Sequence, residues 1–312
     1  MRIEKLKIMI RLLYKVLLRS MVCCGIVVTA AFTSCSEDDL SATSVIKDST
    51  WPKTAFDKWL DRHYVQAYNI QLKYRLEDAE TDFTYTLAPA DVANSVKVAH
   101  IVLHTWLEAY DEVAGRHFTR QLAPKLLQFV GSPAMESDNR GMMGQAEGGM
   151  KITLFGINQL EITRSFLNNS YFQSMHHEFT HILAQNKNYD TDFQKISEGS
   201  YAPADWYAAG KTETEALQKG FISLYAMSEY NEDFAETLAF YLIYTPAEWA
   251  QKMTTADAAG TNGSAIIGQK LAMIRSYMQT AWNIDIDQLR TVIHRRMDEV
   301  LGGSVDLDDL SL

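Results

Sequence analysis

Residues 175–183, Met-His-His-Glu-Phe-Thr-His-Ile-Leu, constrain this chain more than any other stretch. His177, Glu178 and His181 stand in the order His-Glu-x-x-His, and a helix places residues four apart on one face. At about 100° per residue, the two imidazoles lie within ~40° of each other and Glu178 about 100° from His177. Phe172, Met175, Phe179, Ile182 and Leu183 then fall in an arc of roughly 140–240°, on the opposite side. Ser170, Ser174, Ala184 and Gln185, which flank the histidines, are small or polar. The stretch therefore predicts a helix with one face in a core and the other at a cleft. Asn168, Asn169 or Ser170 suits its N-cap, and Asn186 to Asn188 its end. Two neutral imidazoles one turn apart can share a metal ion, and the carboxylate beside them can take a proton from an attacking water.

Catalytic zinc needs a third protein ligand, with a fourth position left open. The longer pattern His-Glu-x-x-His-x-x-Gly-x-x-His is excluded, because Ala184 and Lys187 occupy its glycine and third histidine positions. A glutamate from a later helix is the remaining common solution, supported by a second acidic residue one turn on. Glu232 and Glu236 have that spacing, on a helix whose apolar stripe is Phe234, Leu238, Tyr241 and Leu242 and which Pro246 ends. Glu232 is the expected ligand and Glu236 its support, with Glu236 and Glu198 as fallback ligands. Tyr225 is a candidate hydrogen-bond donor to the oxyanion formed at an attacked carbonyl, in competition with Tyr201, Tyr207 and Tyr230.

Composition narrows the alternatives. The 312 residues are 47% hydrophobic, enough for one large domain or two small ones. The first 34 residues hold six basic residues and one acidic residue, leaving 23 basic against 38 acidic and a net charge of −15 beyond them. Such a surface repels phosphate backbones, so nucleic acid is not an expected partner. The cysteines are Cys23, Cys24 and Cys35, which excludes a disulfide framework, a cysteine-held zinc and a cysteine nucleophile from the rest of the chain.

Basic residues over 1–20 precede an apolar run from Met21 to Phe32 that is too short to span a bilayer comfortably. This predicts a secretory signal over 1–34. Phe32-Thr33-Ser34-Cys35 resembles a bacterial lipoprotein cleavage box, with Phe32 where Leu is usual. Cys35 would then be the acylated N-terminus of a polar, acidic tether over 35–50.

One domain is expected over 51–305: a mainly helical part (51–120), a catalytic core (121–250) and C-terminal helices (251–305). Phe56–Val65 and Val92–Val113 have helical periodicity, whereas 68–74, 126–130 and 150–158 suit strands. The glycine-rich stretch 141–149 reads as a loop without the order of a phosphate cradle. Residues 151–157 are expected to form a sheet edge that pairs with an extended substrate. His100, His104 and His294 sit among core-type or helix-surface residues and are expected to be structural. Ile266–Trp282 and Ile286–Leu301 complete the helices, giving an α+β, predominantly helical fold with a small mixed sheet.

His176-His177-Glu178-Phe179-Thr180-His181-Ile182 and Glu232-Asp233-Phe234-Ala235-Glu236 resemble the lipoproteins called substrate import-associated zinc metallohydrolases. Tyr68-Asn69-Ile70, Pro124-Lys125, Ala146-Glu147-Gly148-Gly149 and Trp282-Asn283-Ile284-Asp285 extend the similarity over nearly all of the chain beyond Cys35. The resemblance implies a zincin-like fold and peptide-bond hydrolysis with one zinc ion. It implies His177, His181 and Glu232 as ligands and Glu178 as base. It also implies an outer-membrane setting beside a TonB-dependent transporter and its nutrient-binding lipoprotein, and Ser36-Glu37-Asp38-Asp39, which looks like a surface-export signal, predicts a surface-exposed protein. A binding accessory on the same fold, without turnover, is the alternative. Neutral histidine ligands carry one consequence already: activity should fall below about pH 6 as imidazoles protonate, which a pH–rate profile checks.

Overall fold

The computed structural model describes residues 52–77, 84–135, 141–142, 144–147, 150–208 and 210–312. The signal reading for 1–34, the lipidation of Cys35 and the tether over 35–50 lie outside the described residues. Among those described, no helix is long and apolar enough to cross a membrane.

Thr54 opens α1 (Ala55–Leu60) with a reciprocal cap, its side chain accepting from the Asp57 amide while the Asp57 carboxylate accepts from the Thr54 amide. The helix winds on as a π-helical stretch over Asp61–Gln66. After β1 (Gln71–Lys73) comes a long rod: α2 (Val92–Val102), a π-helical stretch over Leu103–Leu107, and α3 (Glu108–Ala114). Gly115 breaks the rod at φ 87°, and α4 (Arg116–Leu122) follows.

The strands are β2 (Leu126–Phe129), β3 (Ala134–Met135), β4 (Gly141–Met142), β5 (Gly144–Glu147) and β6 (Lys151–Leu154). β3 and β4 pair with each other; the main sheet has the order β1-β2-β6-β5. Its first three strands are parallel and β5 is antiparallel to β6, so the sheet is small and mixed, as expected. The expected role of 151–157 as an edge is corrected. Ile152 lies opposite Leu127 on one side and Ala146 on the other, so β6 is central and its backbone groups are taken on both sides. Much of the glycine-rich stretch is strand, not loop; β5 folds back from it and occupies the edge.

The motif helix also starts earlier than its sequence suggests. Thr163 caps α5 (Arg164–Leu167), a π-helical stretch over Asn168–Phe172 continues it, and α6 (Gln173–Asn186) carries the motif. Asn168, a proposed N-cap, lies inside this run, where its side chain donates to the Ile243 carbonyl at 3.0 Å. The π-helical stretch thus runs through three cap-type residues. The end at Asn186 is as expected. Met175, Phe179, Ile182 and Leu183 are buried on the predicted face, with Trp106 and Tyr110 edge-on to Phe179 at 5.6 and 4.9 Å.

The remaining helices are α7 (Asp192–Ile196), α8 (Glu213–Gln218), α9 (Tyr230–Ile243), α10 (Pro246–Ala256), α11 (Gly263–Trp282) and α12 (Ile286–Leu301). Pro246 does not only follow α9; it is the first residue of α10, capped by Thr245 and Glu248. Ten of the fourteen residues of α9 are buried, which makes it the central helix of the packed unit that runs from Lys53 to Leu312. Val305, Leu307 and Leu310 pack against the core, so the packed chain runs past residue 305.

The histidines expected to be structural have structural contacts. His100 Nε2 meets the Asp309 carbonyl at 2.9 Å, and His104 bridges Glu108 and Glu299. At the end of α9, the Tyr244 carbonyl accepts from Arg290 Nε and Nη2 and from His294 Nε2. His294 Nδ1 in turn accepts from Arg164 at 3.2 Å, a role that requires the neutral imidazole. Burial, then the charges of Arg164 and Arg290, hold His294 below its ordinary pKa. The unfolded chain therefore binds a proton below about pH 6.5 that the native state refuses. His294→Gln keeps a donor and an acceptor but does not titrate. Urea unfolding from pH 7.5 to 5 should show the wild type losing ground to this variant by up to about 1.4 kcal/mol per pH unit below ~6.5.

Candidate metal centre

Packing of α9 against α6 brings the two i, i+4 pairs of the sequence face to face. His177 Nε2 lies 3.0 Å from His181 Nε2 and 2.9 Å from Glu232 Oε2, and His181 Nε2 lies 3.3 Å from the same oxygen. Ligands ~2.0–2.1 Å from a tetrahedral zinc stand roughly 3.3 Å apart. The three donor atoms thus form a triangle of the right size, two imidazoles and a carboxylate, with one side open. Among the described residues, no other group of His, Cys, Asp or Glu converges in this way. Zinc fits this donor set in number, type and spacing.

Glu236 stands behind His177. Its Oε1 lies 2.7 Å from His177 Nδ1, so that nitrogen donates to the carboxylate and, once the ring is neutral, Nε2 is the nitrogen with the lone pair. Gln173 donates to Glu236 Oε1, and Ser223 Oγ donates to Oε2 at 2.6 Å. Burial works against a charged His177, but Glu232 and Glu236 outweigh it and raise its pKa to about 10. The surroundings are thus arranged to hold positive charge at this point.

Glu178 opens onto a cleft of about 510 Å³ together with His181, Gln185, Asn188, Glu229 and Tyr230. Burial, then the acids Glu232 and Glu236, hold its carboxyl above the usual range against the pull of the two histidines. A larger groove of about 920 Å³ runs along α12, but its charges pair among themselves, Arg275 with Asp287 and Arg295 with Glu299. The smaller cleft is the one lined by Glu178, His181 and Glu232.

Tyr225 is brought to the centre. Its ring is 5.8 Å from that of His177, and Trp206 packs edge-on to it at 5.1 Å. Burial, then Glu232, keep its phenol protonated well above the ordinary range, as a donor. Of its competitors, Tyr201 donates to Asp233 at 2.9 Å and is committed elsewhere. Tyr207 is 62% exposed with its ring on Trp206, and Tyr230 lines the cleft. Glu198, a fallback ligand, is not in the converging group. Gln173, Ser223 and the buried pair Asp233–Lys270 escaped the sequence reading. Gln173 had a usable signal, since it stands one helical turn before His177.

A motif helix facing a glutamate-bearing helix, next to a small mixed sheet, defines a metallopeptidase-type centre. Residues 49–287 match the family described as "Putative zinc-binding metallo-peptidase", and the chain belongs to that family. A solved structure described as a putative zinc-binding metallo-peptidase from Bacteroides caccae ATCC 43185 is 44% identical. The match covers 86% of this chain and 100% of that one, with a TM-score of 0.74. Comparison with curated proteins gives no match. Glu236→Gln should lower zinc affinity about 10- to 100-fold while leaving the helical circular dichroism unchanged. Glu198→Gln should bind zinc as the wild type does; a competition titration against a chelating dye measures both.

Proposed function

We propose that this protein is a zinc-dependent peptidase in which His177, His181 and Glu232 hold one ion and Glu178 serves as general base. The observation that carries the reading is the convergence of the three donor atoms, with Glu178 on the same cleft. When bound, zinc supplies Lewis acidity, drawing electron density from a carbonyl oxygen and making nearby water more acidic. Glu178, one residue from His177 and held above the usual carboxylate pKa, takes the proton of the attacking water and returns it to the leaving amine. Tyr225, kept protonated, donates to the oxyanion that develops as the carbonyl becomes tetrahedral. Glu236 holds the His177 ring in place throughout.

Among the described strands, β5 stands at the sheet edge and packs near α6, so an extended peptide is assigned to its backbone and not to β6. The basic N-terminus, the short apolar run and Phe32-Thr33-Ser34-Cys35 support export and lipid attachment at Cys35. The proposed setting is the outer surface of the outer membrane, beside a TonB-dependent nutrient transporter, where peptides or proteins are cut during uptake.

Glu178→Gln tests the chemistry. It should retain zinc in stoichiometric amount and lose about 10²–10⁴-fold in kcat on a peptide library. Tyr225→Phe should lower kcat about 10²–10³-fold. Chelation should abolish cleavage and added zinc restore it. A zinc-loaded wild type that cuts no peptide in the library would overturn the peptidase reading.

A further inference from the structure

We propose that the buried ion pair of Asp233 and Lys270 is a positioning element, holding Glu232 and the segment that carries Ser223 and Tyr225 in register with the histidines. The inference rests on the zinc reading given above. Lys270 Nζ is 2.6 Å from Asp233 Oδ2, and both side chains are fully buried. The ammonium also donates to the Gly220 carbonyl at 2.8 Å and lies 3.9 Å from the centre of the Phe221 ring. Asp233 accepts from the Tyr201 hydroxyl at 2.9 Å. Two residues thus join α9, α11, the turn at Gly220 and the segment around Tyr201.

Each tether leads to the metal centre. Asp233 follows Glu232 directly on α9. Three residues after Gly220 stands Ser223, which donates to Glu236, and two further on is Tyr225 beside His177. The turn itself has little freedom. Gly220 has φ 84°, and a Cβ there would stand 2.3 Å from the Ile266 side chain, so the carbonyl that meets Lys270 is fixed by close packing.

Stability alone does not account for such a pair. Replacing a buried ion pair with apolar groups of similar volume is commonly neutral or stabilising. What the charges add is direction, because they set the rotation of α9 about its own axis. A 20° rotation moves a side chain at ~6 Å from a helix axis by about 2 Å. Metal–ligand distances tolerate only about 0.2 Å. The carboxylate of Glu232 therefore depends on where Asp233 is held.

The experiment compares wild type, Asp233→Asn, Lys270→Met and the nearly isosteric, uncharged double variant, all as apo protein. Thermal unfolding, zinc affinity by dye competition and limited proteolysis of residues 200–229 are measured on each. Each single variant should melt well below wild type, since it leaves one charge buried without its partner. The double variant should recover most of that loss, yet bind zinc at least about tenfold more weakly and be cut faster within 200–229. Wild-type zinc affinity and proteolysis in the double variant would overturn the proposal and leave the pair a stability element. Asp233→Asn alone, assayed at a temperature where it is folded, removes the ion pair and covers the case in which the double variant does not fold. Weaker zinc binding there supports the proposal, and unchanged binding overturns it. A wild type that binds no zinc fails differently, taking the metal reading with it.

Discussion

Three carboxylates within five residues of a buried helix are the constraint on which this molecule turns. Asp233 and Glu236 are buried on α9 and Glu232 is partly buried, and the three repel one another across one helical turn. An uncompensated buried carboxylate would protonate or unfold the helix. Each instead has a partner of its own: Glu232 faces His177 and His181, Asp233 takes Lys270, and Glu236 collects Gln173, Ser223 and His177. The partners come from α6, α11 and the segment before α9. Packing of these three elements is therefore tied to the neutralisation of one helical turn, and a divalent cation would complete it.

That dependence explains the polarity of the centre. His177 stands between two carboxylates, one on each ring nitrogen, and its pKa rises in spite of its burial. In the absence of metal, a proton takes the role of counter-charge. Zinc and proton compete for the same lone pair, so the charge that makes the site attractive to a cation also makes it sensitive to acid. Glu178 lies outside this exchange. It has no carboxylate-matched partner, borders the open cleft, and keeps a raised pKa suited to moving a proton.

How much of this was legible in the sequence follows from the range of each interaction. The motif helix, its buried stripe and the Glu232–Glu236 pair are local patterns with a period of one turn, and the structure has them where the period puts them. Strand order is not local. The position of β6 just before the motif helix suggests an edge, but chain order does not fix sheet order, and a glycine-rich stretch can turn back into a strand. Thr163 is the cap, and the helix runs on through 168–172, where Asn168 spends its side chain on the Ile243 carbonyl instead of capping. Lys270 lies 37 residues beyond Asp233, in a helix that reads in sequence as packing without chemistry. Only tertiary contact shows it fully buried.

Gln173, Ser223 and Lys270 share one property: none belongs to the converging donor group, and each bonds a carboxylate that neighbours it on α9. Ligand identity is set by chemistry and leaves a motif. Orientation is set by whatever side chain the fold can bring within reach, and many residue types can serve. Gln173, Ser223 and Lys270 are an amide, a hydroxyl and an ammonium, yet each ends on a carboxylate of α9. A site of this kind is thus recognised from sequence by what it coordinates. The geometry that separates a working centre from a vestigial one resides in contacts that carry no pattern of their own.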